Sequence, residues 1–196
     1  MHDGLAPPIA APLGAVETER LVLRRFAASD LDGLADVFAH PEVWQFPYGR
    51  AFTRSETQRF LDAQIQEWDE RGFGCWLAVL RETDRPIGYV GLSVPTFLPE
   101  ILPAVEVGWR FAPAHWGQGL AGEGARAALR EGFTTLGLTE ICSLPQSANP
   151  PSFALCERLG MTFERTVPCP ATDRRGEVEA RLYRITADEW RAQARS

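Results

Sequence analysis

The spacing of apolar residues predicts a mixed α/β domain with elements in the order β-α-α-β-β-β-α-β-α-β-β. Three observations carry that expectation. Strand-like runs come as hairpin pairs, at residues 75–81 with 87–94 and at 161–167 with 177–185. Between the pairs lies one strand–loop–helix–strand crossover, so the chain is not a repeated doubly wound unit. The 196 residues are 45% hydrophobic and 23% charged, which suits one domain with a real core.

Taken in order, residues 1–16 are rich in Ala and Pro and lack a basic start. They read as a disordered tail, not a secretory leader, and leave 17–196 as the single domain. Residues 20–26 read as a first strand. A helix follows over 30–40, with Leu31, Leu34, Val37 and Phe38 on one face, Ser29 as its N-cap and Pro41 as its stop. The loop after it gathers Trp44, Phe46 and Tyr48, which could border a substrate pocket or anchor the first helices in the core. Residues 53–71 form the clearest helix of the first half, closed by Gly72. The hairpin comes next, then a proline-broken loop over 96–103. In the strand at 104–111, Val105, Val107, Trp109 and Phe111 share a face. Helical periodicity over 119–133, a short strand at 140–144, a short helix at 152–159 and the second strand pair complete the order, with a last helical turn over 187–194.

Several classes of function are disfavoured. The net charge is −6, and all 20 basic residues are arginines scattered along the chain, so nucleic-acid binding is not expected. No stretch approaches the roughly eighteen consecutive apolar residues of a membrane span. Cys75, Cys142, Cys156 and Cys169 have neither metal-ligand nor redox-pair spacing and read as buried thiols in a reducing cytoplasm; no metal is expected. Self-association as a homodimer is left open.

The most informative stretch is a strand feeding Trp116-Gly117-Gln118-Gly119-Leu120-Ala121-Gly122, which in turn feeds a helix. Glycines there let a ligand approach the backbone. The first-turn N–H groups of the helix, with the positive end of its dipole, make a seat for a pyrophosphate. The alternative is a tight turn with close helix packing. Gly117 to Gly122 also fits the dinucleotide fingerprint GxGxxG, but the strand does not run directly into the first glycine. About a hundred residues of unrelated order come first, so that context is wrong.

From Thr18-Glu19-Arg20-Leu21-Val22-Leu23-Arg24 onward the chain resembles the GNAT acetyltransferase superfamily, and within it the RimJ/RimL-type N-acetyltransferases. The likeness covers roughly residues 17–190. It rests also on Val105-Glu106-Val107-Gly108-Trp109, on the loop just quoted, and on the run from Asn149 to Met161. It implies an acyl-CoA N-acyltransferase fold whose two central strands splay, with acetyl-CoA as cosubstrate and an amine, either a protein N-terminus or a small molecule, as acceptor. Trp116, Gly117, Gln118, Gly119, Leu120, Ala121 and Gly122 are the implied pyrophosphate loop, although Trp116 stands where many members carry Gln or Arg. The backbone of Trp109, Arg110 and Phe111 is the implied partner of the pantetheine arm, and Asn149 an implied contact to it.

Acetyl transfer needs a proton acceptor for the amine, donors for the carbonyl oxygen and a proton for the departing thiolate. Glu106 is the candidate base, because a carboxylate in a central strand is paired or functional; an ion pair with a nearby arginine is the competing reading. The backbone N–H groups over 108–110 are the candidate carbonyl donors. Many members use a tyrosine where this chain has Cys156, so Ser152 is the candidate donor to the thiolate, and it adjoins the cofactor. Asn149 is in addition an expected helix N-cap. Tyr89, Tyr183 and His115 stay unassigned. A catalytically idle CoA-binding sensor or interaction module is the second functional reading.

Overall fold

Alternating apolar residues in short runs build a sheet that needs cover on both faces, and the helices supply it. The computed structural model describes residue 7, residues 9–172 and residues 175–193. Its elements are β1 (Val16–Glu17), β2 (Leu21–Arg24), α1 (Leu31–Phe38), α2 (Arg54–Arg71), β3 (Cys75–Leu80), β4 (Arg85–Ser93) and β5 (Glu106–Phe111). There follow α3 (Leu120–Thr134), β6 (Glu140–Ser143), α4 (Pro150–Arg158), β7 (Thr162–Cys169), β8 (Val178–Thr186) and α5 (Ala187–Gln193). Among the described residues eight strands form one sheet, ordered β1-β2-β3-β4-β5-β6-β8-β7. Every neighbouring pair is antiparallel except β5 and β6. The expected order of elements holds, with β1 added in front.

One face carries the main core, in which Leu21, Leu23, Val90, Leu92, Val107 and Ile141 meet α3 and α4 through Ala125, Leu129, Leu155 and Leu159. Gly124 permits that approach: a Cβ there would stand 2.7 Å from Val90 Cγ1. The other face divides in two. Leu77, Val79 and Phe26 pack under α1 and α2. Leu98 and Ile101, from the loop before β5, pack with Cys142, Val167 and Leu182.

The helix limits follow local chemistry. Thr53 Oγ1 accepts the Glu56 N–H at 3.3 Å and Glu56 Oε2 accepts the Thr53 N–H at 2.8 Å, a reciprocal cap that starts α2. Gly72, at φ 73°, ends it in the left-handed conformation. Ser29 is not the cap of the preceding helix. It lies within a 3-10 turn over Ala28–Asp30. The Asp30 carboxylate instead accepts the Ala27 N–H at 2.8 Å and pairs with Arg24 at 2.6 Å.

The tail expectation needs correction. Residues 1–6 and 8 lie outside the described residues, but 9–16 are packed. The Ala10 N–H donates to Leu136 O, the Leu13 N–H donates to Gly72 O, and Gly14 O accepts from Trp76 Nε1. Leu13 and Val16 are buried in the main core, so this segment covers apolar surface that would otherwise be wet. At the other end, α5 reproduces the last helical turn as far as Gln193, and position 194 lies outside the described residues.

Candidate cofactor seat and active site

β5 is treated differently by its two neighbours. With β4 it keeps register from Ser93↔Glu106 to Gly88↔Phe111. With β6 it shares one register pair, Glu106↔Cys142. The Cys142 N–H donates to Val105 O at 2.9 Å. One step further, the Ser143 hydroxyl, not a backbone amide, donates to Val107 O at 2.9 Å. There β6 ends and the strands part.

Antiparallel alternation then decides what faces the opening. The Ala112 N–H donates to Ile87 O on the β4 side, so residues 106, 108 and 110 also turn their amides toward β4. The N–H groups of Trp109 and Phe111 and the carbonyl of Trp109 therefore point into the gap. Phe111 O on that side is taken by Trp116 Nε1 at 2.7 Å.

The chain leaves this edge through a 3-10 turn over Pro113–His115 into the glycine loop. Gly117 and Gly119 sit at φ 71° and φ 80°, a region that strains any residue with a Cβ. The first i→i−4 bond of α3 runs from the Glu123 N–H to Gly119 O at 3.0 Å, so the N–H groups of Leu120, Ala121 and Gly122 precede it and lack helical partners. Gly122 has a second role: a Cβ there would lie 3.3 Å from Leu155 Cδ1, so it lets α4 pack against the first turn of α3.

The loop is held in shape before any ligand arrives. Gln118 Nε2 donates to Ala114 O at 2.8 Å, and Arg20 reaches from the start of β2 to donate to Gln118 O at 2.8 Å. The same guanidinium pairs with Glu123 at 2.7 Å. Glu123 Oε1 also accepts the Arg20 N–H at 2.7 Å and the Thr18 hydroxyl at 2.6 Å. Thr18 and Arg20, used above only as marks of resemblance, thus form a clasp on the seat. The sequence carried that signal in Glu123, an acid in the first helical turn, but nothing local tied it to residues a hundred positions earlier.

Glu106 stands where the gap begins. Its neighbours Val105 and Val107 are buried in the main core, and Trp109 packs against it. Glu106 itself faces the side covered by α1 and α2. No arginine pairs with it among the described residues, so the ion-pair reading does not apply. Burial pushes its carboxyl up to about 7, against the opposing pull of the Leu144 backbone N–H. The side chain keeps partial access to solvent. A carboxyl in that state can take a proton near neutrality.

Across the gap, Asn149 occupies the N-cap position of α4, and Pro150 follows it. Its side chain makes no capping bond, contrary to expectation; Asn149 O instead accepts the Ser152 N–H at 3.1 Å. The Asn149 amide and the Ser152 hydroxyl have no side-chain partner among the described residues, and both are half-buried. Beside them Gln146 Nε2 is buried and unpaired. Cys156 is fully buried, and burial pushes its thiol up to about 12. Tyr183 is fully buried too and donates to Glu157 at 3.0 Å. Burial, with that bond, raises its hydroxyl to about 12.

The three loop aromatics separate. Trp44 is a core anchor, 3% exposed, stacked on Phe52 at 3.6 Å. Tyr48 leans on both rings, while Phe46 is half-buried and belongs to none of the core clusters. Among the described residues no group of three His, Cys, Asp or Glu is placed to hold a metal ion, and no helix is long and apolar enough to cross a membrane.

The mixed sheet thus joins a gap between its central strands to a helix whose first N–H groups lack helical partners. Comparison supplies the class. The family described as "Acetyltransferase (GNAT) domain" matches residues 20–162, and the chain belongs to that family. Protein YkkB of Bacillus subtilis is 33% identical over 76% of this chain and 86% of its own length. The FsC-acetyl coenzyme A-N(2)-transacetylase of Aspergillus fumigatus is 33% identical over 76% of this chain and 66% of its own. Among solved structures, an acetyltransferase from Agrobacterium tumefaciens is 28% identical with TM-score 0.69, covering 91% of this chain and 98% of that one. A GNAT-family acetyltransferase from Bacillus anthracis shares the fold at TM-score 0.74 and 22% identity, covering 89% of this chain and 99% of that one.

Proposed function

We propose that this chain is an acetyl-CoA-dependent N-acetyltransferase of the RimJ/RimL type, acting on a primary amine. One observation carries the reading: free strand amides at Trp109 and Phe111, a bare α3 N-terminus and a carboxyl near neutrality converge on one gap. The pyrophosphate belongs on the N–H groups from Gln118 to Gly122, where the helix dipole favours negative charge. The pantetheine arm, itself an amide chain, fits the edge of β5 from Trp109 to Phe111 as an added strand does. On this reading the Asn149 amide contacts it from α4.

Acetyl-CoA, when bound, supplies an activated acetyl thioester, and the acceptor nitrogen takes the acetyl group while CoA leaves as the thiol. The protein's residues position the partners and handle protons. Glu106, ionised, takes a proton from the acceptor's ammonium or attacking amine, directly or through water. The N–H of Trp109 is the donor placed to polarise the thioester carbonyl. Ser152 is the hydroxyl available to protonate the departing sulfur, because Tyr183 is committed to Glu157 and the Cys156 thiol is sealed in the core. Support for the branch comes from the Thr18–Arg24 opening. A Vibrio cholerae chain proposed as a ribosomal-protein-serine acetyltransferase shares the fold at TM-score 0.73 over 90% of this chain. Four free, buried cysteines suit a reducing compartment such as the cytoplasm.

The test has two arms. Acetyl-CoA at about a hundred times its Kd should stabilise the protein by about 2.7 kcal/mol, and NAD(P) should leave the melting temperature unmoved. A panel of primary amines with acetyl-CoA should release free thiol. Stabilisation with no thiol release from any amine would establish the idle CoA-binding reading instead.

A further inference from the structure

The floor of the α1/α2 face has its side chains arranged by polarity, which bears on the acceptor. Along β5 the residues on that face are Glu106, Gly108 and Arg110, paired with Ser93, Gly91 and Tyr89 of β4. The middle pair is two glycines, so β4 and β5 put no side chain of their own between Glu106 and Arg110, although the Cys75 backbone closes over Gly91, where a Cβ would stand 2.5 Å from Cys75 Cα. A Cβ built on Gly108 meets no atom within 4 Å, so the space above it is open. By strand rise, Glu106 and Arg110 are roughly 13 Å apart at their Cα atoms.

One end of this floor carries a carboxyl and an orphaned acceptor. Phe60 of α2 packs on Tyr89 at 5.1 Å, and Glu67, two turns on, accepts the Val94 backbone N–H, while burial raises its carboxyl. The turn between them carries Gln64, which therefore overhangs the glycine pair. Gln64 Oε1 is buried and bonded to nothing, and Glu106 is two residues from Gly108 on the strand below. The other end carries a cation and an orphaned donor. Arg110 donates to Val43 O and, through Nε, to Tyr89 OH at 3.2 Å, and its guanidinium lies 4.2 Å from the Trp44 ring centroid. No carboxylate pairs with it among the described residues. Trp44 Nε1, buried in a residue 97% removed from solvent, has no acceptor. A half-buried cation without a counter-charge and an orphaned indole N–H are both costly unless a ligand answers them.

We propose that the acceptor is a primary amine that also carries a carboxylate, its amine lying between Glu106 and Gln64 and its carboxylate on the corner made by Arg110 and Trp44. This deepens the N-acetyltransferase reading and rests on it. The positive corner holds an anion, and the acidic end receives the ammonium and then removes its proton. Arg110 is thus a specificity-determining residue acting on the acceptor, and the cleared glycine floor is the space for the carbon skeleton.

The experiment measures kcat/KM for matched pairs: ω-amino acids of increasing length, each against the amine lacking its carboxylate, with acetyl-CoA saturating and thiol release as readout. The wild type should prefer the carboxylated member at the best length by about tenfold or more, the scale of a charge-assisted hydrogen bond. Arg110→Gln should bring that ratio to near one, and Arg110→Lys should retain part of it. The ratio is measured within each variant, so it does not depend on how much of that variant is folded. If Arg110→Gln does not fold, Trp44→Phe, which removes the indole donor together with ring volume, should still lower the ratio, since the ratio is read within the variant. Equal use of both members, a preference for diamines, a preference for peptide N-termini irrespective of a carboxylate, or a ratio unmoved in every variant would overturn the proposal and leave the enzyme reading standing. Absence of thiol release with every amine would overturn both.

Discussion

The two edges of β5 differ more than any other neighbouring pair in the sheet. Toward β4 it is sewn along its whole length, and toward β6 it is held at one register pair. The first edge is structure. The second is left open, the edge to which the proposed cofactor is assigned, and Ser143 marks the border by giving a hydroxyl where the next ladder amide would fall. A strand edge left open inside a sheet is unstable unless it is very short or occupied. Here it is short, and one of its carbonyls is already capped by Trp116.

The sharpest way to break the open edge is through the seat beside it. Gly119→Val places a β-branched residue at φ 80°, which strains the turn and displaces the first helical N–H groups. Its acetyl-CoA affinity by calorimetry should fall by about a hundredfold or more, since roughly 3 kcal/mol of strain and lost contacts converts to that scale.

Next in size is Glu106→Gln. The acetylation rate should fall by about a hundredfold or more, the scale of a general base, while acetyl-CoA still binds. In the wild type, kcat/KM should fall as pH drops through about 7, because only the ionised carboxyl accepts a proton; the variant should lack that limb. The same residue opposes stability. Its pKa is raised from 4.5 to about 7, so between those values the folded protein holds more protons than the unfolded chain, and stability declines as pH rises through that window. Above pH 7, Glu106→Gln should therefore melt higher, by about 1–3 kcal/mol of added stability.

Arg20→Ala tests whether the clasp presets the loop. Acetyl-CoA should bind about tenfold more weakly, the scale of losing one charge-assisted bond to the loop carbonyl, with the acceptor KM unmoved. The smallest effect belongs to Ser143→Ala. It strips Val107 O of its buried donor and should lower stability by about 1–2 kcal/mol in denaturant melts, with m unchanged.

Most of the fold was legible because it depends on local period and punctuation. The α2 helix is an example: Thr53, Glu56 and Gly72 announce its ends, and its burial stripe fixes its face. The glycine loop was legible for the same reason, since strand, turn and helix are adjacent in the chain. Misreadings fell where a local signal competed with a distant partner. Ser29 is a good cap residue, yet it sits inside a 3-10 turn held by the Asp30 carboxylate, which takes the Ala27 N–H and is anchored by Arg24. The Ala- and Pro-rich segment over 9–16 has a composition typical of tails, yet Leu13 and Val16 fill a core assembled from residues far along the chain.

The site divides in the same way. The chain order alone determined that a strand would deliver Glu106 and a bare helix terminus to one place, because the residues involved lie within a single strand–loop–helix unit. Only the tertiary structure decided that β6 leaves β5 after one pair, that Arg20 grips Gln118, that Gly91 faces Gly108 and that Trp44 meets Arg110. Those are contacts between residues 17 to 98 positions apart. Their geometry is set by how sheet and helices pack, a collective property that no single stretch of sequence encodes.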